Sequence, residues 1–527
     1  MGNRAVKTWL ATALLIAGTS GAALAADNGL ISAARHDNSA KAMALIEKGA
    51  DVKAKAVDGS TALQWAAYND DVALVKRLLK AGADPNAKND YGATPMSAAA
   101  IAADPAVIKL LLKAGADPDS PNADGQTALM VVARSGNVEA AKELIKRGAH
   151  VNAVERWRHQ TALMWAAAKR RPEMVALLIK HGAKPDLRSV VNNWKRQISG
   201  EPRAQYRDAG GLTALLYAAR EDCEGCAKAL IEGGADINLP DPRGVTPLVM
   251  AINNLHFNVA KYLIEAGADP NKWDWWGRSP LYSAVDMNTL PNGGREDRPS
   301  LDATTPLDII KLLLDSGANP NLQLKLFPPY RQVEDDRGCD RILTVGATPL
   351  LRAAKAFDAK AIKLLLAHGA KVNMPNVNGV TPVMAAAGEG SVECDTRGDY
   401  LTPDVQEKSI DALKPLLTAG GDINASDDRK RGRFSDYREQ TALHGAAFWG
   451  WNKVVAFLVE HGARIDVKDK NGMTPLDSAM GRAGGHGRGQ RIEVHEKTAA
   501  LLRELCAKQP SCSLPEPKEG EKTAKNL

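Results

Sequence analysis

The sequence predicts an all-α fold, a solenoid of short helix pairs joined by β-hairpin fingers. The first observation behind this prediction is a recurring start: Thr or Ser, then Ala or Pro, then an apolar residue. Six of the ten spacings between successive starts are 33 residues and one is 34. A fixed period of this size is typical of stacked repeats. The starts are Thr61, Thr94, Thr127, Thr161, Thr213, Thr246, Ser279, Thr348, Thr381, Thr441 and Thr474.

Two further observations support this fold class. About 21 residues after most starts comes Gly-Ala followed by a polar residue, as in Gly82-Ala83-Asp84 and Gly317-Ala318-Asn319. Aromatic residues make up only 5% of the chain, a composition that suits many small, closely packed helices. We therefore expect one repeated unit along the 527 residues, with little sheet.

Residues 58–86 illustrate how one unit folds. Asp58-Gly59 permits a tight turn, and the Thr61 hydroxyl can accept a backbone N–H in the first turn of the helix that follows. Gly82 ends the second helix because glycine tolerates the left-handed conformation. A single helix pair cannot bury both of its faces, so each unit depends on its neighbours for stability. The residues expected to be buried are Leu63, Ala66, Ala67, Val72, Leu74, Val75, Leu78 and Leu79.

These units resemble the ankyrin repeat, whose signature begins Thr-Pro-Leu-His-x-Ala. Thr441-Ala442-Leu443-His444-Gly445-Ala446 and Thr474-Pro475-Leu476-Asp477-Ser478-Ala479 approach it closely, whereas most copies lack the His, as in Thr61-Ala62-Leu63-Gln64. The resemblance covers residues 29–505 and implies an ankyrin-repeat α-solenoid of about 12 repeats. It also implies a concave binding surface made by the hairpin tips and the first helix of each unit.

The period is broken by six insertions, all at surface positions of the predicted stack. Three enlarge a hairpin between units, and three enlarge the loop between the two helices of a unit. The insertion 426–440 holds five basic residues together with two aromatic ones, which is interpreted either as a solvated loop or as a contact surface for an acidic partner. The hairpin insertions are 187–211, 322–346 and 426–440, and the helix-loop insertions are 288–304, 388–408 and 481–495.

Both chain ends are expected to differ from the repeats. In residues 1–25, Arg4 and Lys7 precede a short apolar run, and Ala23-Leu24-Ala25 matches the small residues that signal peptidase accepts. We interpret this segment as a cleaved signal peptide, with a retained anchor as the alternative, and expect a periplasmic or secreted protein. The tail 513–527 is rich in Lys, Glu and Pro and is predicted to be disordered.

Hydropathy and charge exclude two classes of partner. After the signal segment no apolar stretch approaches the roughly 20 residues of a membrane helix, so no membrane span is expected. The net charge of +6 falls to +4 without Arg4 and Lys7, which is nearly balanced over so long a chain. We therefore expect no nucleic-acid binding.

The six cysteines suit an oxidising compartment. Cys223 and Cys226 fall at the start of a second helix, where the helix dipole would lower a thiol pKa. This pair is interpreted as a local disulfide, as reduced core thiols, or as a redox-active site. Cys506 and Cys512 are expected to form a bridge. A bridge between Cys339 and Cys394 is the third pairing, although their loops start at opposite ends of the helices.

No motif for a cofactor or for catalysis stands out. Ala227 follows Cys226 where covalent haem attachment would require His. His486 and His495 lie in a glycine-rich loop without a matching set of ligands, so no metal site is predicted. The sequence contains no phosphate-binding loop, nucleophile elbow or zinc-protease motif.

Two kinds of position are expected to face a partner. The first follows the Ala-Ala pair of the first helix, and the second lies at the hairpin tips. Trp275 and Trp276 are the sharpest candidates, since exposed Trp is enriched at the energetic centres of interfaces, and the alternative is that they pack on neighbouring fingers. The first set is Tyr68, Asn69, Arg134, Lys169, Arg220, Glu221, Phe448 and Trp449, and the second is Tyr91, Trp157, Arg158, Trp275 and Trp276.

The function predicted from these features is a non-catalytic protein–protein interaction scaffold in the cell envelope, monomeric and without a cofactor. The first alternative is a periplasmic thiol-disulfide redox protein that uses Cys223 and Cys226. The second is a purely structural spacer, for which the exposed Trp residues would have no binding role.

Overall fold

The computed structural model describes residues 29–196, 205–289, 300–326, 342–389, 402–428, 439–482 and 494–514, with the backbone alone for 192–196 and 205–209. The predicted signal peptide and nearly all of the predicted tail lie outside these residues. The described residues contain 24 helices in twelve successive pairs, which confirms the predicted repeat fold. The chain divides into two compact units, Met1–Trp165 and Ala166–Leu527.

In the first unit the helix pairs follow the predicted period without interruption. The pairs are α1 (Gly29–Arg35) with α2 (Ser39–Glu47), α3 (Ala62–Tyr68) with α4 (Val72–Lys80), α5 (Pro95–Ala102) with α6 (Pro105–Lys113), and α7 (Ala128–Ser135) with α8 (Val138–Lys146). The boundary between the units falls within α9 (Ala162–Ala168), whose partner is α10 (Pro172–Lys180).

The second unit continues the pairing around all six insertions. Its further pairs are α11 (Ala214–Arg220) with α12 (Glu224–Glu232), α13 (Pro247–Asn253) with α14 (Phe257–Glu265), α15 (Pro280–Thr289) with α16 (Pro306–Asp315), α17 (Pro349–Lys355) with α18 (Ala359–Ala367), α19 (Pro382–Ala386) with α20 (Val405–Thr418), α21 (Ala442–Phe448) with α22 (Asn452–Glu460), and α23 (Pro475–Ala479) with α24 (Glu496–Ala507).

The Thr at the start of a repeat caps the first helix in most repeats, as predicted, although Thr127 makes no such side-chain hydrogen bond. The Thr61 hydroxyl accepts a hydrogen bond from the Gln64 N–H, and Gln64 Oε1 accepts one from the Thr61 N–H at 2.8 Å. This reciprocal pair is a capping box, which satisfies two backbone donors that the first turn leaves without partners. Thr94 and Ser97 form the same box.

The residue three positions after the Thr also joins its helix to the next hairpin. Gln64 Nε2 donates to the Ala93 carbonyl at 2.6 Å. In the second unit His444 takes this place: its Nδ1 lies 3.1 Å from the Thr441 N and its Nε2 lies 3.2 Å from the Met473 carbonyl. Burial is the main cause that lowers the pKa of His444 to about 4, so the imidazole is neutral at pH 7.

In each unit, every helix packs against the corresponding helix of the next repeat. The first unit has one row of first helices, α1, α3, α5 and α7, and one row of second helices, α2, α4, α6 and α8. The second unit has the row α11, α13, α15, α17, α19, α21 and α23, and the row α10, α12, α14, α16, α18, α20, α22 and α24. These rows are the stacked arrangement that the period predicted.

The expected core of the repeat at residues 58–86 is confirmed for most of its residues. Leu63, Ala66, Ala67, Leu74, Val75 and Leu78 are buried. Each fully buried Leu contributes about 2 kcal/mol of transfer free energy. Val72 is exposed, contrary to the prediction, because it lies two residues before Leu74 and therefore about 200° around the helix from it. Leu79 is half-buried.

A ladder of Asn side chains between neighbouring second helices was not predicted. Asn86 Nδ2 donates to the Gly115 carbonyl at 2.9 Å, and its Oδ1 accepts the Asp117 N–H at 2.8 Å. One side chain thus satisfies groups that the end of α6 leaves open. In the second unit, the residues that make both bonds are Asn271, Asn321, Asn373 and Asn424.

The insertion 187–211 forms a two-stranded ribbon, which the sequence had not assigned as strands. β1 (Val191–Arg196) pairs antiparallel with β2 (Gln205–Gly210), and Val191 lies opposite Gly210. Gly211 follows with a φ of 63°, and a Cβ on it would lie 2.6 Å from Pro242 Cγ. The base of the ribbon therefore packs closely against the next finger, which requires glycine.

The remaining insertions are described only at their edges. Residues 290–299, 327–341, 390–401, 429–438 and 483–493 lie outside the described part of the chain. The Cys339–Cys394 pairing and the basic residues of the insertion 426–440 fall there. None of the helices in the described ranges combines the length and apolar character needed to cross a bilayer.

Candidate protein-binding surface

The hairpin fingers are held in shape by the acceptor side chain at the start of each turn. Asp274 Oδ1 accepts the N–H groups of Trp276 and Arg278, each at 3.0 Å. In the first unit, Asn89 Oδ1 accepts the N–H groups of Tyr91 at 3.1 Å and Ala93 at 2.8 Å. Such Asx turns fix a tip without the help of a partner.

Neighbouring fingers are also joined to each other through their backbones. In the first unit the Asp90 N–H donates to the Asp58 carbonyl at 3.0 Å. In the second unit the Trp275 N–H donates to the Arg243 carbonyl at 2.8 Å, and the Val377 N–H donates to the Val345 carbonyl at 2.9 Å. Within each unit such bonds join neighbouring fingers into short rows, and the side chains carried by the bonded tips have fixed positions.

Three of the five predicted tip residues are aromatic side chains that project from this row. Trp275 is 66% exposed, Trp157 is 64% exposed and Tyr91 is 56% exposed. The guanidinium carbon of Arg156 lies 5.3 Å from the Trp157 ring centroid, and the neighbouring Arg158 is exposed. These positions meet the geometric requirement for contact with a partner.

Trp276 does not meet this requirement, and the prediction that it is exposed is wrong. It is only 8% exposed, and the guanidinium carbon of Arg278 lies 5.1 Å from its ring centroid. Arg278 is in turn held by Asp274, with Nη2 and Oδ2 2.7 Å apart. The Trp276 indole is thus part of the inside of the finger, whereas the neighbouring Trp275 points the opposite way.

Trp273 was overlooked as a binding residue although it belongs to the same Trp-rich run. It is 43% exposed, and Lys325 Nζ stands 3.1 Å from its ring centroid. A lysine over an indole face makes a favourable cation–π contact. The signal in the sequence was Trp273-Asp274-Trp275-Trp276, in which the exposed Trp273 and Trp275 alternate with the buried Asp274 and Trp276 as they do in a strand.

The predicted residues after the Ala-Ala pair divide into two groups. Lys169 is exposed, and five others are partly exposed and therefore accessible: Tyr68, Arg134, Arg220, Glu221 and Phe448. Asn69 and Trp449 are partly exposed as well, but each also makes a packing contact that the sequence did not predict. Asn69 Nδ2 donates to the Ala34 carbonyl at 2.8 Å, and Trp449 Nε1 donates to the Gly388 carbonyl at 3.1 Å while its ring stacks on Trp451.

The first helices present two further positions on the same side, four and seven residues after the Thr, which we call the first-helix face. In the first unit they include the partly exposed Trp65 and Tyr68 on α3. In the second unit Asp286 of α15 and Arg352 of α17 occupy them and are fully buried, with Arg352 Nε 2.5 Å from Asp286 Oδ1. Lys355, which follows Arg352 by three residues, is also buried. The sequence did not reveal this buried charge.

The sulfur atoms of Cys223 and Cys226 lie 1.98 Å apart, at bonding distance, and those of Cys506 and Cys512 lie 2.03 Å apart. Cys223 is the N-cap of α12, and its sulfur accepts the Cys226 N–H at 3.2 Å. Both sulfur-bearing side chains of this pair are buried. A thiolate must reach a sulfur to exchange with it, so the burial gives no support to the redox alternative.

A family model described as ankyrin repeats in three copies matches residues 10–89, 30–122, 96–189, 215–324, 303–394 and 404–487. The matched ranges together span well over half of the sequence. The chain belongs to the ankyrin-repeat family. Ankyrin repeats are generally protein–protein interaction modules and typically non-catalytic.

Two known proteins are each similar to part of this chain. The transient receptor potential cation channel subfamily A member 1 of Drosophila melanogaster is 27% identical over 173 residues, which are 32% of this chain and 13% of the channel. Ankyrin repeat and SOCS box protein 11 of Danio rerio is 32% identical over 130 residues, 25% of this chain and 35% of that protein. The chain thus spans about a third or less of either relative.

Among solved structures, the ankyrin repeat domain of human ASB11 is 22% identical in sequence. It covers 46% of this chain and 98% of its own length, with a TM-score of 0.38.

Proposed function

We propose that this ankyrin-repeat chain is a non-catalytic scaffold that holds another protein against its hairpin tips and the exposed part of its first-helix face. One observation carries the proposal: large aromatic side chains project from tips whose backbones are fixed within each finger and between fingers. Trp275, Trp157 and Tyr91 are more than half exposed, although each belongs to a residue type that normally buries most of its surface.

Exposed aromatic side chains on a fixed backbone are the features of a preorganised binding surface. Trp and Tyr are enriched among the residues that dominate binding free energy. Because the fingers are already held by hydrogen bonds, little conformational freedom would be lost on binding, which leaves more of the contact energy as affinity. A purely structural spacer would derive no benefit from exposed indoles on a rigid edge.

The cell envelope is the proposed compartment. Residues 1–25 carry the basic start, the apolar run and the small-residue cleavage pattern of an exported chain. Mass spectrometry of the chain recovered from osmotic-shock fluid tests this. We expect its first residue to be Ala26, and recovery of the chain from the cytosol with Met1 still attached would contradict the placement.

The binding function is tested by photo-crosslinking in the source cells. A photoreactive phenylalanine analogue would replace Trp275 in one variant and Trp157 in another, with Lys261, an exposed residue of the second helix α14, as the matched control position. We expect one defined protein to be crosslinked from the tips and not from position 261. Equal products from all three positions, or none from the tips, would refute the proposal, and a product of twice the chain mass would contradict a monomer.

A further inference from the structure

The second unit carries a surface whose chemistry specifies the kind of segment that it would bind. We propose that Lys272, Trp273, Trp275, Lys325 and Leu326, here called the tip patch, bind an acidic, extended segment of the partner protein. This inference rests on the proposed function and adds to it the chemical nature of the partner.

The tip patch is held together by the finger ladder. The Trp275 N–H bonds to the Arg243 carbonyl of the preceding finger, and the Lys325 N–H donates to the Trp276 carbonyl at 2.8 Å. Three successive fingers thus have fixed relative positions. Adjacent repeats in such stacks are about 10 Å apart, so three fingers extend about 20 Å. An extended peptide covers that distance with about six residues.

The electrostatics of these fingers favour an anionic partner. Their carboxylates, Asp241 and Asp274, are buried and engaged with the turn N–H groups and with Arg243 and Arg278. Each of these two ion pairs is neutral overall. Lys272, which is partly exposed, and Lys325, which is exposed, then carry the net charge of the described part of these fingers.

The apolar members of the tip patch are equally specific. Trp275 offers an open indole face, Leu326 is exposed, and the Trp273 ring is already oriented by Lys325. A segment that places an apolar side chain on Trp275 and carboxylates near the two lysines would satisfy both features. Nucleic acid is a poorer match, because affinity for it depends on neutralising many phosphates and two lysines neutralise few.

The tips of the first unit differ from the tip patch in charge, although they also carry an exposed aromatic side chain. Tyr91 is exposed as Trp275 is, but its finger carries the exposed carboxylate of Asp90 beside the exposed Lys88. These opposite charges offset each other, so an acidic segment would gain no net attraction there. Val72→Ala is the control for Trp275→Ala, because it removes an exposed apolar side chain from a second helix, outside the tips.

The test is selection from a displayed library of random twelve-residue peptides on the full chain. We expect peptides selected by the wild-type chain to be rich in Asp and Glu with at least one apolar residue, and peptides selected by Lys272→Glu/Lys325→Glu to be rich in Lys and Arg. Fluorescence polarisation with the best wild-type peptide should show affinity lowered about 30-fold by Trp275→Ala and less than about twofold by Val72→Ala.

Three results would overturn the inference: selected peptides without excess acidic residues, the same peptides selected by the wild-type and charge-reversed chains, or a twelve-nucleotide single strand that binds more tightly than any selected peptide. If a protein is crosslinked from position 275 in cells but the selected peptides are neutral, the acidic segment is wrong and the scaffold function stands. If the peptides are acidic but no protein is crosslinked, the scaffold function fails.

Discussion

The first-helix face is built from the same positions in both units, yet on α15 and α17 of the second unit its character is the opposite of that on α3 and α7 of the first. In the first unit Trp65, Tyr68 and Arg134 occupy it and remain partly exposed. In the second unit Asp286 and Arg352 occupy it and are buried as an ion pair. All six insertions fall in the second unit. The repeat therefore fixes where a side chain lies on its helix but does not determine whether that side chain meets water.

The largest expected effect comes from breaking the buried ion pair of the second unit. Asp286→Asn should lower the free energy of opening of α15 and α17 by about 3 to 5 kcal/mol, because the Arg352 charge would lose the carboxylate beside it in a buried site. Hydrogen exchange of the amides in these helices measures this opening directly.

Arg134→Met in the first unit is the matched control for that variant. Arg134 is partly exposed, and its guanidinium carbon lies 5.5 Å from the Trp165 ring centroid, a contact worth about 1 kcal/mol at most in such a setting. If Asp286→Asn and Arg134→Met destabilise their helices equally, the buried ion pair contributes no more to stability than the partly exposed Arg134 contact. Asp286→Leu/Arg352→Met, which removes both charges, should recover most of the loss.

The second prediction compares two tryptophans at hairpin fingers, one in each unit. Trp276→Ala should cost about 3 to 4 kcal/mol, because it removes a buried indole and leaves a cavity under Arg278. Trp157→Ala should change stability by less than about 0.5 kcal/mol, because the ring is already in water. Urea unfolding of each variant measures the difference. A similar small loss in both would show that Trp276 is not packed inside its finger.

The third prediction uses pH to distinguish His444 from its counterpart Gln64. The folded state holds His444 neutral with a pKa of about 4, while the unfolded chain has the ordinary value of 6.5. The unfolded state therefore takes up a proton first as pH falls. The stability contributed by the neutral ring is fully present above pH 6.5 and is lost between pH 6.5 and 4. The loss is about 3 kcal/mol.

His444→Gln removes this titration while keeping the bonding pattern, because Gln64 makes the same two hydrogen bonds in the first unit. We expect the stability of the wild type relative to this variant to fall as the pH is lowered across that window. Carboxylates titrate in both proteins and cancel in the difference. Parallel stability curves would show that the ring is not excluded from water.

The sequence was sufficient to predict the repeated helix pairs but not to predict which of their side chains are exposed. Thr caps, Gly ends and the spacing of Leu and Ala are local, so the period predicted the helix pairs and their core directly. The burial of Trp276 involves Arg278, whose guanidinium lies over its ring and is held by Asp274. Residue type does not separate Trp276 from Trp275, and only the strand-like alternation of the run does. Asn69 looked like a free polar residue because its acceptor, the Ala34 carbonyl, is 35 residues away in sequence.

The Asn ladder could have been predicted from the sequence, whereas the buried charges could not. Each Asn stands two residues after the polar residue of the Gly-Ala marker, as Asn86 does after Asp84, and extending the repeat comparison by two positions would have found it. Asp286 and Arg352 are 66 residues apart. On repeat alignment alone they take the places of Tyr68 and Trp65, which are partly exposed, so their burial follows from packing that the period does not encode.

Hydroxyl-radical footprinting of the chain, alone and bound to the crosslinked partner, tests most directly whether the finger tips are the binding surface. We expect oxidation of Trp157 and Trp275 to fall on binding, while oxidation of the exposed outer positions Val72 and Lys261 stays unchanged. Protection confined to the second helices, with both tip indoles still oxidised at the rate of the free chain, would contradict the account.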